Sequence, residues 1–125
     1  MNIITLVVGK PYSKRISYVE KVTENIKTQW MKGIELKKTH SFTFSSIDQD
    51  TEVIVFDNVE VKNFNPDIIL SLSSGIMVNK QGKEGFPLRP KFILIFDDTT
   101  FDGNSFMEGE SFKRRINLIN VESES

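Results

Sequence analysis

The sequence predicts an α/β fold with a mainly parallel central sheet, and three observations support that prediction. The runs Ile3–Val8, Val53–Phe56 and Phe92–Phe96 are apolar without alternation. A strand with one wet face would alternate every second residue, so these read as strands covered on both faces. Helical spacing and helix start and stop signals lie between the runs. Such strands, with helices on both faces, make a three-layer domain with a sheet of about five strands.

The chain has 125 residues, enough for one domain with a single core. Residues 1–121 are expected to form that domain, and the acidic tail 122–125 to fray. Its ten Phe and 38% hydrophobic residues argue against disorder. The absence of Cys excludes a disulfide framework, a thiolate nucleophile and a Cys-based zinc site. The one histidine, His40, has no neighbour at ligand spacing and reads as a loop residue. No secretory leader is visible, and no apolar run reaches the ~20 residues that span a bilayer, so a cytoplasmic location is expected.

Charge is unevenly spread. Residues 1–50 carry eight Lys/Arg against five Asp/Glu, whereas residues 51–125 carry eight against twelve. The chain is no polybasic nucleic-acid binder, and any such contact would come from a local patch.

The first apolar run breaks at Gly9-Lys10-Pro11. Ile16, Val19, Val22, Ile26 and Trp30 then recur at three- and four-residue steps, predicting a helix over Ser13–Met31 with a buried stripe and Gly33 as its stop. Ile34–Lys38 and Phe42–Ser46 are short segments, and alternation around Phe42–Phe44 supports an edge strand. The second run stops on Asp57-Asn58. Asn65-Pro66-Asp67 is a helix start, with Ile68, Ile69 and Leu72 facing the core and Gly75 at the end. Residues 76–88 read as a hairpin. The third run ends on Asp97-Asp98, Asp102-Gly103-Asn104 is a turn, and Lys113-Arg114-Arg115 leads into a last strand, Ile116–Val121.

Parallel strands align their C-terminal ends, and open α/β sheets bind ligands there. Gly9-Lys10, Asp57-Asn58 and Asp97-Asp98 should therefore meet on one edge. A strand, a glycine turn and a helix with Lys10, Lys14 and Arg15 about the turn is the layout of a phosphate-binding loop. An acid on a second strand would hold Mg²⁺, and a polar residue on a third would contact the γ-phosphate.

In these features the chain resembles the P-loop NTPases of the AAA+ type, and among them the superfamily-three helicases of viruses, phages and mobile elements. VVGKPYSKRI is similar to the phosphate-binding loop, VIVFDNV to the acidic strand and PKFILIFDD to the sensor strand. The resemblance implies nucleotide contacts from Gly9, Lys10, Lys14 and Arg15, and Mg²⁺ on Asp57. It implies catalytic roles for Asp57, Asn58 and Asp98. It makes 76–88, with Lys80 and Lys83, a hairpin that touches single-stranded nucleic acid. SFKRRINLINV resembles the segment carrying an arginine finger, implying that Arg114 or Arg115 acts across a subunit boundary in an oligomer. Lys113-Arg114-Arg115 also reads as a solvated basic turn, and Lys80 and Lys83 as charges that protect a sheet edge.

The departures bear on catalysis. Counted from Gly9 in G-x-x-x-x-G-K-[ST], the glycine, lysine and hydroxyl positions hold Lys14, Arg15 and Ile16. Ile16 cannot ligate a hard cation, and Asn58 cannot take a proton from water. Asp98 in the sensor position would face a γ-phosphate with like charge, at about 1–4 kcal/mol. The expectation is a degenerate, non-hydrolysing ATPase- or helicase-like module that binds ATP/Mg²⁺ weakly or not at all. Two other readings stay open: a divergent but active NTPase, and an unrelated α/β domain whose Asp57, Asp97 and Asp98 form a Mg²⁺-dependent phosphoryl-transfer or receiver-like site.

Overall fold

The computed structural model describes residues 3–9, 14–38, 44–60, 65, 67–96 and 114–121. In chain order its elements are β1 (Ile4–Gly9), α1 (Arg15–Val22), β2 (Thr28–Lys32), a 3-10 helix (Gly33–Lys38), β3 (Val53–Val59), α2 (Asp67–Ser73), β4 (Ile76–Val78), β5 (Phe86–Leu88), β6 (Lys91–Phe96) and β7 (Ile116–Val121). Five of the strands form one sheet in the order β2-β3-β6-β1-β7, and every neighbouring pair is parallel. The three apolar runs thus lie side by side in its middle, as strands without a wet face must.

Alternate residues serve opposite faces. Ile4, Leu6 and Val8 of β1 join Ile54, Phe56, Phe92, Leu94 and Phe96 on one face, under Ile69 and Leu72 of α2. Val7 joins Val53, Val55 and Ile95 on the other, under Val19 of α1. A helix on each face is the arrangement expected of a three-layer fold. On the α2 face Phe56 stacks on Phe92 with centroids 6.4 Å apart, and Phe44 meets both rings edge-on at 6.3 and 6.5 Å.

Several expectations hold. Asn65 Oδ1 accepts from the Asp67 N–H at 3.0 Å, capping α2. The Gly75 N–H bonds to the Leu72 carbonyl just beyond the helix end. β4 and β5 pair antiparallel as the predicted hairpin, with Ile76 opposite Leu88.

Others are corrected. The helix predicted over Ser13–Met31 stops at Val22, where the Thr23 hydroxyl donates to the Val19 carbonyl at 2.7 Å and Asn25 takes φ 67°. The chain then re-enters the sheet, and Trp30 pairs with Val55 in β2. A β-branched and aromatic segment can read as a helical stripe by spacing and still prefer a pleated surface when a sheet edge is open to it. The stripe is therefore not a core: Ile16, Val22 and Ile26 are 45%, 45% and 39% exposed, and only Val19 is fully buried.

Gly33 is not a helix stop either. It begins the 3-10 helix, which packs so closely on β3 that a Cβ there would lie 2.6 Å from the Asn58 carbonyl oxygen and 2.7 Å from Val59 Cα. Ile34–Lys38 belongs to that helix. Residues 44–46 form a turn instead of an edge strand, with Phe44 drawn inward by its two aromatic neighbours. Phe42 and Thr43 lie outside the described residues, as do His40, Asp102-Gly103-Asn104 and the tail 122–125.

Candidate functional site at the C-terminal rim of the sheet

β3 does not end on Asp57-Asn58, as its apolar run suggests; it bulges there and continues to Val59. Phe56 pairs with Leu94 and Val59 with Phe96, so Asp57 and Asn58 together oppose the single residue Ile95. Asn58 supplies the bend with φ 58°, a left-handed conformation that Asn tolerates better than most residues. Bulges re-aim side chains at strand ends. Here the bulge brings Asp57, half-buried, and Asn58, exposed, to the wall of a cleft.

The cleft has a volume of about 290 Å³ and is lined by Lys14, Arg15, Ile16 and Ser17 from the start of α1, Asp57 and Asn58 from the bulge, and Ile95 and Phe96 from the end of β6. Of the three pairs expected to meet on this rim, Asp57-Asn58 lines the cleft, and the strands β1, β6 and β3 that carry the pairs are neighbours in the sheet. Strands in a sheet are ~4.8 Å apart, so the ends of β1 and β3 are about 10 Å apart with β6 between them.

Its cationic side is already engaged. Arg15 Nη1 donates to the Phe96 carbonyl at 2.8 Å and to the Gly9 carbonyl at 3.3 Å. A half-buried guanidinium is a strong donor for backbone carbonyls at strand ends. The side chain at the lysine position of the loop pattern therefore ties β1 to β6. Ile16, at the hydroxyl position, lines the cleft 45% exposed. Ser17, one residue further on, contributes a hydroxyl that sequence reasoning did not single out; its place just past the pattern is the signal that could have found it. Asp57 is the one carboxylate among the described lining residues, and no group of three or more His, Cys, Asp or Glu placed to hold a metal occurs among the described residues. Among the described lining residues Arg15 is bonded to the strand ends, and Ile16, at the hydroxyl position, offers no oxygen to a hard cation.

Lys10, Asp97 and Asp98 lie outside the described residues. Arg114 and Arg115 immediately precede β7, and the Arg115 carbonyl accepts from the Ile4 N–H at the start of β1. They occupy the N-terminal rim, across the sheet from the cleft. The structure does not bring them together with Asp57.

Lys80 and Lys83 also stand apart from the cleft. A groove of about 440 Å³ is lined by Asp48, Gln49, Lys80, Lys83, Glu84, Gly85 and Phe86. Lys80 Nζ lies 3.5 Å from Asp48, and Asp48 and Asp50 both pair with Lys27, the residue before β2. These charges anchor the hairpin near the N-terminal rim.

No protein-family model matches the chain, and no curated protein sequence matches it. Among the described residues no helix is long and apolar enough to cross a membrane.

Proposed function

We propose that this chain is a non-hydrolysing P-loop-NTPase-like module, of the kind found in superfamily-three helicases, that acts by binding and assembly in phage or mobile-element replication. One observation carries the reading: Arg15, in the loop-lysine position, spends its Nη1 on the Phe96 and Gly9 carbonyls. Phosphoryl transfer is catalysed almost entirely by positioning and charge neutralisation. A cleft whose cation holds backbone, whose hydroxyl position is Ile16 and whose base position is Asn58 has little left to do either.

The strand order supports the NTPase-like lineage. The glycine-turn strand β1, the sensor-like strand β6 and the acidic strand β3 are consecutive neighbours, as a loop, a γ-phosphate contact and a metal acid arranged in that succession require. A flavodoxin-like or receiver-like sheet would place its first strand between the second and third; here the first lies between β6 and β7. That counts against a receiver-like acidic site. The replication setting rests on the resemblance. Lys80 and Lys83 on the β4–β5 hairpin are the proposed contact for single-stranded nucleic acid, and Arg114 and Arg115, being remote from the cleft of their own chain, could serve only a neighbouring subunit.

Calorimetry with ATP and Mg²⁺ tests the reading. Binding should be no tighter than ~1 mM, equivalent to about −4 kcal/mol, with no phosphate release. Micromolar affinity that is lost in Lys14→Ala would overturn it in favour of a divergent, working NTPase.

A further inference from the structure

The hairpin turn carries two cations, and Asp48 pairs with one of them. The Lys83 N–H donates to the Lys80 carbonyl at 3.0 Å, closing a four-residue turn. Gly82, its third residue, has φ 75°, the left-handed value that a type II turn requires at that position. Residues at the two ends of such a turn have Cα atoms within ~7 Å. Lys80 and Lys83 both line the groove, together with half-buried Phe86, Gln49 and the carboxylate residues Asp48 and Glu84. Two lysines and a half-buried aromatic residue lining one groove are side chains of the kind that take a nucleotide of a single strand, phosphate on a cation and base on a ring. Asp48 disturbs that arrangement. Its carboxylate sits 3.5 Å from Lys80 Nζ while also pairing with Lys27 at 3.8 Å.

We infer that Asp48 is an internal competitor for the hairpin's anion site: it occupies Lys80 in the free protein, and the phosphate of a single-stranded nucleic acid must displace it. The inference rests on the reading of the hairpin as a nucleic-acid contact. Lys80 is the better protected of the pair, its side chain 29% exposed against 61% for Asp48. Asp50 is the natural comparison. It carries the same charge and pairs with the same Lys27, at 3.6 Å, but among the described residues it is Asp48 that pairs with Lys80.

Anisotropy titrations with an oligodeoxythymidine of about 15 nucleotides test this in the full chain. Asp48→Asn should tighten binding about two- to fivefold at ~0.1 M salt, the scale of one exposed ion pair removed from competition. Asp50→Asn should tighten it by less than about half that factor, because a more distant charge is screened. In a Lys80→Ala background the gain from Asp48→Asn should vanish, as coupling between partners demands. Equal effects of the two Asn variants, a gain that survives Lys80→Ala, or weaker binding by Asp48→Asn would each overturn the competitor role. The same tightening toward poly-glutamate would overturn the nucleic-acid assignment. Absence of binding in every variant would overturn it as well, leaving the non-hydrolysing cleft to be judged by the ATP calorimetry alone.

Discussion

Arg15 Nη1 donates to the Phe96 carbonyl at 2.8 Å, joining the first residue of α1 to the last of β6 across 81 positions of sequence. A charged donor to a backbone acceptor contributes about 1.5–3 kcal/mol, and less where the group is part-exposed. Arg15→Ala should lower unfolding free energy by about 1–2 kcal/mol in urea titrations, with an unchanged m-value. Arg15→Lys should recover only part of this, since a single ammonium does not reproduce the planar fork. An Arg15→Ala protein as stable as the parent would show that the strand ends need no clamp.

The bulge and Gly33 form a second coupled pair. A Cβ at residue 33 would meet backbone on the Asn58 side at 2.6–2.8 Å, with no flexible side chain to yield. Gly33→Ala should cost about 1–3 kcal/mol. At Asn58, where φ is 58°, Gly should be tolerated to within ~1 kcal/mol, whereas Val should cost about 1–2 kcal/mol or more for a β-branched residue in the left-handed region. The same urea titration ranks all three. If Asn58→Val is neutral, the bulge has another source.

The aromatic cluster bears on stability alone. Phe92 is fully buried, stacked on Phe56 and met edge-on by Phe44. Phe92→Ala should cost about 3–5 kcal/mol. Phe44→Leu, which keeps much of the volume and loses the ring geometry, should cost about 0.5–1.5 kcal/mol. Neither change should alter binding at the hairpin groove once the variants are compared below their melting temperatures.

Rebuilding the loop pattern separates binding from turnover. Lys14→Gly, Arg15→Lys and Ile16→Thr together restore G-x-x-x-x-G-K-T from Gly9. This triple variant should bind ATP–Mg²⁺ at least about tenfold more tightly than the parent, a gain of ~1.4 kcal/mol. It should still release no phosphate, because Asn58 remains in the base position. Turnover by the triple variant would show that the base lies elsewhere; unchanged binding would show that these three positions do not face the phosphates.

The central sheet was legible in the chain itself. Runs such as Val53–Phe56 and Phe92–Phe96 have no polar alternation, and burial on both faces in a parallel sheet is the ordinary way to satisfy them. From that alone the placement of Gly9 and Asp57-Asn58 on one rim could be stated, because parallel strands share a direction. The α2 cap and the hairpin were legible too, since Asn65, Gly75 and Gly82 act through local backbone geometry.

Contacts between distant segments decided the rest. Spacing alone could not tell a helix through Trp30 from a helix that stops at Val22 followed by a strand, because the open edge of β3 chose the outcome. No local signal assigned Gly33 to the Asn58 bulge, which depends on a close approach of two backbones. Nothing near Arg15 foretold that its guanidinium would hold the carbonyls of Gly9 and Phe96, or near Lys80 that Asp48 would reach it. Periodicity and turn chemistry are properties of neighbours in sequence, whereas a hydrogen bond across 81 residues exists only once the strands have been placed side by side.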